Sequence, residues 1–334
     1  MNKATIGRSP AYIPPIAGPT LCFAVYTLLG VATSPALYLR NLSAFAFQFL
    51  PSAFVLGFVG LVGAGLLKQP GAPLSFVAGV IRQRGSGVIA TAAALCIGMA
   101  AFWTLKYHIP RFVPFYADPA LADIDQILHF GDPWRWVHAA IPARWMSLML
   151  IIYFPAWLLL FFGCTALAAF HPSSAIRSRY WMSFAAIYAG LGTALAAIGA
   201  SVGPIFYDQF FGGHRFAELL SLLKQSEMST YHFFIADKLY SAYLSGVEDF
   251  FAGISAMPSI HVAVATLNAL FLSGVNRAAG VLAWVFVLLT MAGSVYFGWH
   301  YAVDGYVSFA AVLLFWRLFA ARRLVPSSVR DEES

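Results

Sequence analysis

Charge is what this sequence has least of. Only 10% of its 334 residues are Asp, Glu, Lys or Arg, where a soluble domain carries about 25%. The shortage excludes a water-soluble globule, because there are too few polar groups to cover its surface. Acids are scarcer still, 14 against 20 bases. A pI of about 9.3 would suit a nucleic-acid binder, but the bases sit singly at the ends of apolar runs and form no stripe. Topology explains them, and no nucleic-acid partner is implied. Cysteine is nearly absent. Cys22, Cys96 and Cys164 are odd in number, widely spaced and inside apolar runs, which excludes a disulfide framework and a cysteine metal motif. There is no low-complexity tract and no useful internal repeat. No small-residue cleavage site follows Lys3, Arg8 and the proline-rich start, so the first apolar run reads as a retained span.

Apolar sequence is abundant instead: 60% of residues are hydrophobic and 16% aromatic, and the mean hydropathy is +0.75. Runs of about 20 apolar residues cross a bilayer as helices. Eight candidates fall at 19–39, 43–67, 87–105, 145–170, 180–202, 258–272, 278–297 and 300–319. They predict an all-α, polytopic transmembrane helix bundle of about eight spans with no soluble appendage. The sixth is short, and Pro51 predicts a kink in the second. Placing both termini in the cytoplasm puts Lys3, Arg8, Lys68, Arg82, Arg84, Arg177, Arg179, Arg277, Arg317, Arg322, Arg323 and Arg330 on the inner side. The outer side then holds Arg40 and two long loops, 106–144 and 203–256, which carry every acid except Asp304 and the tail's Asp331, Glu332 and Glu333. Mixed apolar and polar spacing at 121–130 and 215–223 predicts short interfacial helices in those loops.

Asp304 is the only acid inside a predicted span. A carboxylate there is costly and normally has a partner and a purpose. His300 lies four residues earlier, so the pair is expected on one helix face, with Asp304 accepting from one ring nitrogen and leaving the other free to attack. The bland alternative is a polar pair that pins two helices. Pro258-Ser259-Ile260-His261 reads as a helix start, whose free amides and dipole make an anion site, with Ser259 adding a hydroxyl and His261 a titratable donor. The bland alternative is a plain capped helix. Both features fall at the same outer face, so one site can use nucleophile, orienter, acid and anion cradle together. Lys106 and Arg111 end the third span on that face and could neutralise phosphate, unless they are ordinary snorkelling cations. Gly203, Pro204 and Tyr207 follow the fifth span there and could shape a pocket. No metal is expected, since nothing supplies a close further ligand beside His261, His300 and Asp304.

Pro258-Ser259-x-His261 and His300-x-x-x-Asp304 resemble the second and third signatures of the type 2 phosphatidic acid phosphatase superfamily. The fuller strings Ala256-Met257-Pro258-Ser259-Ile260-His261 and Trp299-His300-Tyr301-Ala302-Val303-Asp304 are similar to the branch that contains fungal inositol phosphorylceramide synthase. Thr104-Leu105-Lys106, Ile109-Pro110, Pro114-Phe115, Asp118 and Gly203-Pro204-x-x-Tyr207 look like bacterial members of that branch. The resemblance spans about residues 85–320. It implies two accessory helices and an inner loop over 1–84, a six-helix catalytic core over 85–322 and a cytoplasmic tail over 323–334. It implies a cofactor-free reaction in which His300 attacks phosphorus, Asp304 orients it, His261 serves as acid and base, and Lys106, Arg111 and the Ser259–Ile260 backbone hold the phosphate. The partners implied are membrane lipids: a lipid phosphate and, for a transferase, a lipid alcohol acceptor. The location implied is a bacterial inner membrane with the site facing the periplasm. Two positions depart from the signatures. Arg111 is five residues beyond Lys106, not seven, and follows Pro110; Ser294 stands where an Arg is usual. Fewer cations suit a diester headgroup, which favours headgroup transfer over the alternative, a lipid or polyprenyl phosphatase. The rival from another class is a transporter or silent scaffold. A transporter would place its polar or broken segments near the midplane, whereas here they gather at one face.

Overall fold

The computed structural model describes residues 17–225, 229–249 and 252–321. The expected tail 323–334 and the bases Lys3, Arg8, Arg322, Arg323 and Arg330 lie outside the described residues. Every regular element described is helical. In chain order these are α1 (Ala17–Thr33), α2 (Pro35–Lys68), α3 (Pro73–Phe112), α4 (Asp118–His129), α5 (Pro133–Ala140), α6 (Ala143–Phe170), α7 (Ser174–Ile198), α8 (Pro204–Phe211), α9 (Ala217–Lys224), α10 (Ser229–Ser245), α11 (Ile260–Val275), α12 (Arg277–Tyr296) and α13 (Ala302–Ala321). Six of them are long and apolar enough to cross a membrane, and the apolar stretches of α1 and α11 are shorter. The chain is an integral membrane protein built as an all-α bundle.

The first two expected spans divide elsewhere. The Ser34 hydroxyl accepts from the Leu37 amide at 3.3 Å and Pro35 opens α2, a stop and restart that the side chains themselves encode. The kink expected at Pro51 takes the form of a π turn at Phe45–Phe49 just ahead of it. Proline has no N–H and its ring crowds the carbonyl four residues back, and a wider turn relieves both. The third expected span, 87–105, is the middle of a single 40-residue helix. At 1.5 Å per residue α3 is about 60 Å long, roughly twice the hydrocarbon thickness. Arg82 and Arg84 therefore sit on the helix, not in a loop, and the boundary expected at residue 84 falls within it.

α11 occupies the centre. It is apolar on all sides, and Val262 through Ala269 are buried, as a helix without a polar face must be. Its one amide there, Asn268, accepts from the Tyr180 hydroxyl at 2.9 Å. The α11–α12 hairpin closes on Gly280, where a Cβ would lie 2.7 Å from Ser273. The short helices α4, α5, α8, α9 and α10 gather at the end where α3 finishes and α11 and α13 begin. Short helices do form over the stretches 121–130 and 215–223, as α4 and α9.

Candidate active site

Two helix starts build the site. The Ser259 side chain caps α11 by accepting from the Val262 amide at 3.4 Å, and its own amide reaches the Asp304 carbonyl at 3.4 Å. Pro258 and Ser259 thus precede the helix, and His261 stands in its first turn. α13 begins at Ala302, so His300 lies in the turn before it, not on its face as expected, while Asp304 is in its first turn. The ring contact also differs from expectation. His300 Nδ1 is 2.8 Å from the Ala256 carbonyl oxygen, whereas Asp304 Oδ2 is 3.4 Å away and accepts from the Tyr301 amide at 3.0 Å. The carbonyl can only accept, so it holds the proton on Nδ1 and leaves the Nε2 lone pair free. The buried carboxylate is then a nearby negative charge for any cationic form of the ring. The His261 and His300 ring centroids are 6.3 Å apart. Tyr153 stacks on His261 at 4.6 Å, and Trp157 Nε1 donates to the His261 carbonyl at 3.0 Å.

Both histidines line one cavity of about 360 Å³. Its reactive end adds Lys106, Ser255 and Trp299, and the rest is apolar, with Phe102, Trp157, Leu158, Tyr188 and Phe206 in its walls. Lys106 stands over the Trp103 ring at 5.2 Å. Ile260 lines the same cavity. Ser259 does not; it is fully buried, and its hydroxyl and amide are both engaged. Arg111 is also elsewhere. Its guanidinium lies 3.6 Å from Glu248 and donates to the Gly246 carbonyl at 3.3 Å. Glu248 further accepts from Ser34 at 2.7 Å and lies 3.0 Å from His108 Nε2, so Arg111 belongs to a knot that ties α2, α3 and the 246–249 segment together. The pocket residues expected after the fifth span are second-layer supports. Gly203, at φ +85°, has no room for a Cβ, which would lie 2.6 Å from the Trp299 carbonyl. Pro204 borders a small void behind His300, and Tyr207 packs among Phe211, Phe216 and Tyr301 in the core beyond.

What positions this assembly is two carboxylates on α4 that the sequence reading left without a role. Asp118 accepts from the Val202 amide at 2.9 Å, the Gly203 amide at 2.8 Å and the Tyr301 hydroxyl at 2.9 Å. Asp125 accepts from the Ala302 and Val303 amides at 2.7 and 2.9 Å, which makes it a tertiary N-cap for α13. Burial pushes both carboxyls up, and these donors oppose the shift. Ser201 continues the chain of bonds. Its carbonyl accepts from the Ala256 amide at 2.9 Å and its hydroxyl from the Met257 amide at 2.9 Å, fixing the carbonyl that fixes His300. The available signal was the spacing: acids seven residues apart share one face of α4.

α10 closes the cavity with Ile235 and Leu239 and is held by His232, which is buried between Phe297 and Trp299. Burial pushes this imidazole down to about 4. The folded state therefore resists protonation that the unfolded chain accepts near 6.5, and stability is lost as pH falls from about 6.5 towards 4. The melting temperature in detergent is expected to drop over that window, with a smaller drop in His232→Phe; identical pH profiles would remove His232 as the cause.

Two histidines, one beside a buried carboxylate, line an apolar cavity in a membrane-embedded bundle, an arrangement suited to phosphoryl chemistry on a lipid. A family model of the PAP2 superfamily matches residues 119–318, from the first turn of α4 to the last turn of α13. The chain belongs to that superfamily and is a lipid phosphatase or phosphotransferase. Comparison with curated proteins and with solved structures gave no match.

Proposed function

We propose that the chain transfers a phosphoryl or phospho-headgroup unit from a lipid phosphate ester, through a phosphohistidine on His300, to a lipid alcohol, as inositol phosphorylceramide synthase does. The observation that carries this is the shared cavity: His300 with its Nδ1 proton committed to a carbonyl, His261 with its ring centroid 6.3 Å away, and Lys106 at the same apolar pocket. His300 Nε2 attacks phosphorus while the bond to the leaving oxygen breaks and His261 gives that oxygen a proton. The N–P bond leaves the ring cationic, and the Asp304 carboxylate 3.4 Å away stabilises it. The acceptor oxygen then attacks phosphorus, its proton passes to His261, and the N–P electrons return to Nε2. Lys106 and the first turn of α11 face the phosphate oxygens. The apolar walls suit a lipid acceptor better than free water. The Lys and Arg distribution supports a site on the outer face with both termini cytoplasmic, and the resemblance to bacterial members supports a bacterial inner membrane.

The test is a mass-spectrometric product inventory. The purified chain and His300→Ala are incubated in EDTA with mixed phospholipids, prenyl phosphates, ceramide and diacylglycerol. A headgroup appearing on a new lipid only with wild type is the expected result. Free phosphate alone would make the chain a phosphatase with water as acceptor. Inventories identical to that of the variant would overturn the reading and favour a transporter or scaffold.

A further inference from the structure

The end of the bundle opposite the active site holds a pair of inward-turned arginines and, among the described residues, no acid. α6, which widens to a π turn at Ile152–Ala156 around Pro155, ends there at Phe170, and α7 starts at Ser174. Arg84 on α3 donates from its guanidinium to the Phe170 carbonyl. Arg177 on α7 donates to the next two carbonyls, His171 at 2.6 Å and Pro172 at 3.1 Å. Both arginines are partly buried on this one turn, whereas Arg82, on the same stretch of α3, is exposed. Their charge reaches the turn itself. Burial first, with Arg177 and Arg84 adding to it, holds the His171 imidazole below its usual range, against an opposing bond from the Ser173 amide.

This positive charge has no counterpart in the described chain. Every described acid lies within 118–132 or 208–249 or is Asp304, all at the active-site end. Arg177 also stands in the first turn of α7, where the helix dipole favours an acid and disfavours a cation. An arginine that served only to orient the chain would stay exposed, as Arg82 does. Arg84 and Arg177 each bond through one terminal nitrogen, so among the described residues Nε and the second terminal nitrogen of each fork remain to donate, in the geometry that matches phosphate.

Depth identifies the anion. Arg84 precedes Lys106 by 22 residues on one unbroken helix, about 33 Å at 1.5 Å per residue, and the hydrocarbon layer is about 30 Å thick. Lys106 stands at the reactive end of the cavity, so Arg84 stands at the headgroup level of the other leaflet. We infer that Arg84, Arg177 and the turn between α6 and α7 bind the phosphate of an anionic phospholipid in the leaflet opposite the active site. Basic pockets between transmembrane helices take such headgroups. A zwitterionic lipid brings its own cation and leaves the excess charge unbalanced. The bound lipid staples α3 to the α6–α7 hairpin, and these three helices supply Phe102, Lys106, Trp157 and Tyr188 to the catalytic cavity.

Native mass spectrometry of the full chain in neutral detergent, titrated with dioleoyl phosphatidylglycerol, dioleoyl phosphatidylcholine or inorganic phosphate, tests this. Wild type is expected to bind one phosphatidylglycerol at least about tenfold more tightly than phosphatidylcholine. Arg84→Gln and Arg177→Gln are each expected to weaken that binding about tenfold, the loss of one bond to a charged acceptor. Arg82→Gln, with the same change of charge, and Lys106→Gln, in the catalytic cavity, are expected to retain it. If Arg84→Gln does not fold, Arg177→Gln carries the test. Equal affinity for phosphatidylcholine overturns the proposal, and so does an equal loss in Arg82→Gln, which would mark a diffuse surface field. Binding that disappears in Lys106→Gln and survives in both arginine variants belongs to the catalytic cavity and overturns it too. Inorganic phosphate bound as tightly as phosphatidylglycerol would make the occupant a soluble anion and overturn the lipid assignment.

Discussion

Replacing His300 by alanine is expected to lower turnover by at least about 10³-fold, as removal of a covalent nucleophile does. Its Nδ1 is held by the Ala256 carbonyl, which leaves Nε2 free to attack, and the Asp304 carboxylate 3.4 Å away favours the cationic adduct. Folding is expected to survive, because the ring makes a single bond, to the Ala256 carbonyl, worth about 1 kcal/mol. Product release and melting in detergent, measured on the same preparation, separate the two effects. If melting collapses together with activity, the His300–Asp304 pair is a structural pin and the nucleophile reading fails.

The second large effect is expected from a residue that never meets the substrate. Asp125 is 4% exposed and holds the first two amides of α13. Asp125→Ala leaves both donors buried without a partner, at a cost of about 2 kcal/mol or more. The damage falls between His300 and Asp304, which flank those amides. Turnover should therefore fall further than the loss of folded protein explains, and Asp125→Asn, whose amide oxygen can still accept, should recover part of it. Thermal melts together with the turnover of the folded fraction read this out. A variant that melts and turns over like wild type would show that the cap is redundant.

These expectations also show where the sequence was readable and where it was not. The bundle was legible because lipid leaves little choice: an apolar run of bilayer length must satisfy its own backbone bonds. His261, His300, Asp304 and Lys106 were legible because each polar type is expensive where it sits, and the structure brings all four to one end of the bundle. Helix ends were less so. Ser34-Pro35 is as clear a cap as Pro258-Ser259, yet it lies inside an apolar run where composition hides it. Arg111 was misplaced because its partner, Glu248, lies more than a hundred residues on and no local pattern connects them. Asp118 and Asp125 were visible as residues but not as devices. Their partners are backbone amides of segments far along the chain, and an amide has no sequence.

The π turn at Ile152–Ala156 has a consequence for comparing this chain with its relatives. It amounts to one residue inserted into an α-helix, and one extra residue rotates everything downstream by about 100°. The same helix can thereby show Tyr153 to the histidines and, two turns later, Phe161 and Phe162 to a separate core. A relative whose helix runs straight through this stretch will align with it only across a one-residue gap, and an ungapped alignment will pair one face of α6 with the wrong face of its counterpart.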